Sequence, residues 1–264
     1  DTATTEIYTL SLHDALPISW TSQAVHAGDV IETHLVETEP SDGILPRPVP
    51  FSVVYEDDDI LVVDKPADTP IHPSIGNYEN TLANGIAWYF EQKGEPFVYR
   101  CINRLDRDTT GLIVLAKHAL SAAVLSQAMR SREIHRTYQA FALGETAASG
   151  TIDAPIARLD GSLIQRTVDF ASGERSVTHY RTLAHCSVFS HLELNLETGR
   201  THQIRVHMAY IGHPLLGDTL YNKTPGTFPR QALHSASLSF VHPITGEPLN
   251  FHAPLPEDMQ NLLT

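Results

Sequence analysis

Apolar and polar positions alternate in short blocks along most of this chain. Residues 51–55 (FSVVY) and 60–63 (ILVV) are apolar runs around an acidic turn at 56–59, which predicts a strand pair ended by Lys65-Pro66. Residues 80–92 read as a helix. Residues 111–116 (GLIVLA) are short and almost wholly apolar, the mark of a strand buried on both faces. In residues 118–130, Leu120, Val124 and Ala128 recur at helical spacing with Leu125 and Met129 beside them, so a helix lying on that face is expected. Residues 134–143 (IHRTYQAFAL) read as a strand carrying Arg136, Tyr138 and Ala140 on one face. Residues 188–196 alternate cleanly. Val188, Ser190, Leu192, Leu194 and Leu196 point inward, and Phe189, His191, Glu193 and Asn195 outward, as in a half-buried antiparallel strand. After a turn at 198–200, Thr201 is the expected N-cap of a helix reaching about Ile211, with Gly212 as its left-handed stop. Strands outnumber helices without strictly alternating with them. The expected fold is α+β, a mixed and mainly antiparallel central sheet with flanking helices.

Residues 40–50 (PSDGILPRPVP) hold four prolines and a glycine, the composition of a linker. That leaves residues 51–264 as one domain-sized unit, and residues 21–39 as a stretch too short to fold alone. Residues 7–19 (IYTLSLHDALPIS) lack a basic start and are interrupted by His13, Asp14 and Pro17, which does not fit a secretory signal. They resemble translated sequencing-adapter DNA, so residues 1–20 are expected to be non-native or disordered.

The net charge of −13 argues at first against a polyanionic partner, but the charge is uneven. Residues 1–92 carry two basic residues against sixteen acidic ones, whereas residues 93–210 carry fourteen against eleven. A polyanion should therefore meet the middle of the chain. No apolar run reaches eighteen residues, so no membrane span is expected. Two cysteines, Cys101 and Cys186, rule out a disulfide scaffold and fit a reducing, cytoplasmic setting. His202 and His207 are five apart, a poor spacing for zinc, and no metal is expected. The nucleotide-binding, serine-hydrolase and zinc-protease templates are absent, so nothing calls for a cofactor.

Two polar clusters could carry chemistry. Residues 103–111 (NRLDRDTTG) place two arginines and two aspartates in a loop feeding the buried strand; such a loop is either a salt-bridged surface or the seat of an aspartate nucleophile or base. Residues 197–208 (ETGRTHQIRVHM) flank Arg205 with Ile204 and Val206, and an arginine buried there would need a carboxylate partner. His207 reads as a core or surface histidine. Tyr138 reads as a core aromatic or as a pocket wall able to stack on a planar ring.

Residues 104–117 (RLDRDTTGLIVLAK) resemble the signature of the RluA-type pseudouridine synthases. Four further blocks agree in order: 55–74 (YEDDDILVVDKPADTPIHPS), 132–140 (REIHRTYQA), 198–221 (TGRTHQIRVHMAYIGHPLLGDTLY) and 232–256 (ALHSASLSFVHPITGEPLNFHAPLP). The resemblance implies cofactor-free isomerisation of uridine in RNA. It puts the catalytic aspartate at Asp106, its paired arginine at Arg205, the active-site tyrosine at Tyr138 and a base-extruding arginine at Arg104. The residue before that arginine is most often His in the family and is Asn103 here. Arg104, Arg107, Arg136, His202 and Gln203 are the expected substrate-binding residues, acting on a uridine drawn out of its stack. The expected partner is large-subunit ribosomal RNA, with transfer RNA next, met by a monomer. Residues 27–32 (AGDVIE) resemble the end of the ribosomal-protein-type RNA-binding module that many members carry, which makes 21–39 its expected remnant. Two competing readings are an RNA-binding protein of this fold without catalysis, and a glycosidic hydrolase using Asp106 and Asp108 as paired carboxylates.

Overall fold

The computed structural model describes residues 7–11, 26–27, 30–34, 41, 43–186 and 188–263. Strands β1 (Ile7–Ser11) and β2 (Val30–His34) form a separate parallel pair. The remainder of the segments expected to be a non-native tail and a module remnant lies outside the described residues.

Nine strands make the main sheet: β3 (Ser52–Glu56), β4 (Ile60–Lys65), β5 (Thr110–Ala116), β6 (His135–Leu143), β7 (Ser149–Asp153), β10 (Val177–His185), β11 (Phe189–Leu196), β12 (Leu233–Val241) and β13 (Pro248–His252). Their order is β3-β4-β5-β12-β6-β11-β10-β7, with β13 paired to β12. Every pairing is antiparallel except that of β5 with β12. The α+β expectation is borne out. A small hairpin, β8 (Ile156–Arg158) with β9 (Arg166–Val168), stands off the sheet. Among the described residues no helix is long and apolar enough to cross a membrane.

The apolar runs of β4 and β5 serve two cores at once. Leu61, Val63, Ile113 and Leu115 face helix α1 (Leu82–Lys93) with its Leu82, Ile86 and Phe90. Ile60, Val62, Leu112 and Val114 face helix α2 (Ala119–Arg130) with its Leu125. Alternation on a strand covered on both faces leaves no polar position, so the sequence reads as an unbroken apolar run. Thr81 starts α1 through a capping box with Asn84, each side chain accepting from the other's backbone N–H. Residues 43–50 are not a free spacer. The Arg47 N–H donates to Asn84 O, and the Asn84 side chain donates to Leu45 O. Gly85 permits this approach, because a Cβ there would lie 2.6 Å from Val49 O.

Three local expectations fail for identifiable reasons. Helix α2 buries Ser121 and Leu125 and leaves Leu120 and Val124 exposed. Its start is pinned by His118, whose imidazole is 2.7 Å from Asp59 Oδ1 and caps Ser121 N, turning the expected stripe outward. On β11, the outward face is covered: His191 stacks on Phe141 at 4.6 Å, and Phe189 packs beside Met259 of helix α4 (Glu257–Gln260). Val188, expected inward, is 61% exposed. Helix α3 spans Gln203–Tyr210, and its N-cap is His202 in a left-handed conformation (φ 58°), not Thr201. Gln203 instead reaches back and accepts from Thr198 Oγ1 and the Arg200 N–H, closing the turn before the helix. Gly212 adopts the expected positive φ.

Candidate active site

The polar loop between Cys101 and Thr110 sits where β5 meets β12 and is anchored from below on several sides. Lys65 is fully buried at the end of β4, and its Nζ donates to the carbonyls of Pro66, Thr69 and Arg107 at 2.7–3.0 Å. Burial draws the Lys65 ammonium down to about 7. Asn103 is buried beneath the loop; its amide donates to Leu112 O and accepts from the Val114 N–H, so it ties the loop to β5 and faces away from solvent. Arg230 donates to Asp108 O and is held by both oxygens of Asp258. Gly111 (φ 111°) lets the strands close, since a Cβ there would lie 2.3 Å from Ser235 O.

This scaffold presents Asp106 to Arg205 of α3, whose Nη1 donates to Asp106 Oδ2 at 2.9 Å. Arg205 is buried and is itself fixed by Asp218, with Nε to Oδ2 and Nη2 to Oδ1 both at 2.8 Å. Asp218 is completely buried and also accepts from the backbone of Leu220 and Tyr221. Burial works against the Arg205 charge, but the two carboxylates more than offset it and the guanidinium stays protonated. One buried arginine thus serves two carboxylates. Asp218 takes two of its hydrogen bonds, and Asp106 is left as a partly exposed carboxylate of fixed orientation.

Asp106, Arg205, Tyr138, Arg104, Thr109 and His202 line a small inner pocket of about 60 Å³. Arg104 and Asp106 also line a wider basin of about 710 Å³ together with Arg130, Arg132, Arg136 and Arg200. These arginines all belong to the segment with the basic excess. Glu197, at the basin wall, is kept low by hydrogen bonds from Arg175 and His179. His72, at the opposite rim, is pushed down by burial and by Arg104.

The expected residues do not all converge. Arg107 lines neither cavity and is paired with Asp68 on the outer side of the loop. Gln203 reaches the pocket wall, but its amide is spent on the fold: it donates to Val177 O and Thr178 Oγ1 and accepts from Thr198 and Arg200. His207 is a core histidine bonded to Thr178 and Ala154. Asp108 shares neither cavity with Asp106, which removes the paired carboxylates a hydrolase would need. Asp218 and Tyr221 escaped the sequence reading. The available signal was a carboxylate in an apolar stretch, thirteen residues after an arginine that needed a partner.

Among the described residues, Asp57, Asp59 and His242 lie close enough to share a cation. Their atoms are otherwise engaged. Asp57 accepts from Tyr55, His242 and the N–H groups of Asp59 and Ile60, while His242 Nδ1 accepts from Ile244 and Thr245. The cluster ties β13's hairpin to the β3–β4 turn.

Residues 59–210 match the family described as RNA pseudouridylate synthase. The chain belongs to this family. It is 43% identical over 237 residues to an uncharacterised RNA pseudouridine synthase of Bacillus subtilis (strain 168), covering 89% of this chain and 83% of that one. It is also 43% identical over 251 residues to ribosomal large subunit pseudouridine synthase D of Vibrio cholerae, covering 89% and 76%. Among solved structures, human RNA pseudouridylate synthase domain containing 1 superposes with a TM-score of 0.66 at 26% identity, over 82% of this chain and 86% of that one. The resemblance to RluA-type enzymes is borne out, and the activity is that of an isomerase, an RNA pseudouridine synthase.

Proposed function

We propose that this enzyme isomerises specific uridines of large-subunit ribosomal RNA, with Asp106 acting on a nucleotide drawn into the inner pocket. The observation that carries the reading is Asp106 held 2.9 Å from a buried, doubly paired Arg205, beside Tyr138, at the floor of an arginine-lined basin. The choice of RNA is supported by the relatives named ribosomal large subunit pseudouridine synthase D. Removing a base from its stack costs about a few kcal/mol. Phosphate contacts from Arg104, Arg130, Arg132 and Arg136 offset that cost, and the Tyr138 ring supplies a face for the uracil.

The reaction breaks the bond from C1′ to N1, turns the uracil and forms a bond from C1′ to C5. The C5 proton leaves and N1 gains one, so nothing is consumed. Asp106 serves as nucleophile at the sugar or as base in cleavage and in removal of the C5 proton; either route needs its carboxylate at the place Arg205 fixes. In this reading residues 51–264 form the catalytic unit, and the enzyme works as a cytoplasmic monomer.

The test uses purified protein and total RNA from a bacterium lacking synthases of this type, mapped by a pseudouridine-selective label that stops reverse transcription. Discrete new stops in large-subunit ribosomal RNA, absent with Asp106→Ala, are expected. Stops confined to transfer RNA would overturn the substrate, and stops made equally by Asp106→Ala would overturn the role of Asp106.

A further inference from the structure

His202 is one of three non-glycine residues with positive φ among the described residues, and its side chain makes no capping bond to α3. A left-handed histidine is uncommon and costs free energy that the surroundings must supply. What this conformation achieves is to turn the ring into the inner pocket. There Nδ1 lies 2.8 Å from the Tyr221 hydroxyl, and Nε2 stands 3.8 Å from Asp106 Oδ2, beyond hydrogen-bond reach.

The Tyr221 hydroxyl settles which nitrogen carries the proton. Its oxygen accepts from the Arg166 N–H at 2.9 Å. The arrangement that satisfies both groups has the hydroxyl donating to Nδ1, which leaves the hydrogen of a neutral ring on Nε2. Burial pushes the imidazolium down, and nearby Arg205 and Arg166 push the same way against Asp106 and Asp218, which favours the neutral ring. Tyr221 is in turn held by its ring over the Arg205 guanidinium at 5.1 Å and by its N–H on Asp218. The result is an N–H donor aimed into the pocket, with no acceptor of its own among the described residues.

We propose that His202 Nε2–H donates to the 2′-hydroxyl oxygen of the target nucleotide, with Tyr221 as the positioning residue that fixes the tautomer. This rests on the reading that Asp106 acts at the sugar. An atom 3.8 Å from the Asp106 oxygen then faces the substituent on the carbon next to C1′. The contact would make the pocket itself sensitive to ribose against deoxyribose.

The experiment measures binding in an Asp106→Asn background, so that no turnover intervenes. The probe is a synthetic fragment of the mapped RNA carrying either uridine or 2′-deoxyuridine at the modified position. The single hydrogen bond predicts about fivefold tighter binding of the ribo form. His202→Asn tolerates left-handed backbone but is too short to reach, and should bring the ratio to about one. Tyr221→Phe should lower it part-way. A ratio unchanged by His202→Asn overturns the contact, and one unchanged by Tyr221→Phe overturns the tautomer lock. Circular dichroism and melting of each variant separate these results from misfolding. Pseudouridine formation by the unaltered enzyme on the ribo fragment checks the underlying functional reading separately.

Discussion

Replacing Asp218 with asparagine keeps the shape of the side chain and removes one charge at a place water does not reach. In the native protein the carboxylate takes two hydrogen bonds from Arg205 and two from the backbone of Leu220 and Tyr221. An amide can keep one oxygen acceptor, but its NH₂ then faces a guanidinium N–H, donor against donor. Removing one partner of a buried ion pair costs about 3–5 kcal/mol. Asp106 remains to balance Arg205, which favours the lower end, so about 3 kcal/mol is expected. For a chain of this size that is a fall in Tm of roughly 6–12 °C. The catalytic effect is separate. With Asp218 neutral, Arg205 is free to shift toward Asp106, and the carboxylate loses both its orientation and its unshared charge. A loss of about 2.7 kcal/mol of transition-state stabilisation corresponds to about 100-fold in kcat. Binding of RNA, which the proposed function assigns to the basin arginines, should change less than threefold. The assay is tritium release or label-stop mapping under single-turnover conditions, beside a thermal melt and a filter-binding isotherm. An Asp218→Asn enzyme with normal kcat and normal Tm would show that Arg205 holds Asp106 without the second carboxylate, and the charge argument would be wrong.

Lys65 makes a pH-dependent prediction. Its folded pKa, about 7, lies below its ordinary 10.5, so from about pH 7 to 10.5 the unfolded chain binds a proton the native chain does not. Stability from this group therefore rises with pH across that window, at most by ~1.4 kcal/mol per pKa unit. Lys65→Met should flatten the slope of Tm against pH there and also lower Tm, since three buried carbonyls lose their donor. Gly111→Ala should prevent soluble expression or lower Tm by more than 10 °C, roughly the effect of forcing a Cβ into the Ser235 backbone. Arg136→Ala, in the basin, should weaken RNA binding and reduce the slope of log affinity against log salt by about one, whereas Arg107→Ala, tied to Asp68, should change that slope less.

The sequence was most informative where one local rule decided the outcome. The apolar run of β5 announced a buried strand, and Ile204 and Val206 raised a buried Arg205 with a carboxylate partner as one of two readings, the other being an arginine reaching to solvent. It was least informative where distant chain decided. The outward face of β11 is covered only because Met259 of α4, some sixty residues later, joins the cluster over Phe189, while Phe141 of β6 stacks on His191. The rotation of α2 follows from His118 finding Asp59, a pairing no helical period encodes. Arg107 and Gln203 fitted a substrate-binding list by composition and position, yet Asp68 and the turn at 198–200 had already engaged them. Asp218 was visible but not weighed, because it stands outside the charged clusters that draw attention.

The order of strands has a consequence for how the enzyme comes into being. β12 lies in the middle of the sheet although it is nearly last in the chain, so until it emerges the sheet exists only as two separate pieces, β3-β4-β5 and β6-β11-β10-β7. Asp106 sits at the seam between them, and it and its loop are held by Arg205, Asp218 and Arg230, up to 124 residues from Asp106, while His234 holds Thr110 at the loop's end. A nascent chain therefore carries Asp106 long before it has the partners that hold it. The strand order predicts that a chain cut short before β12 forms no working site, which a pseudouridine assay of such a truncated chain would check.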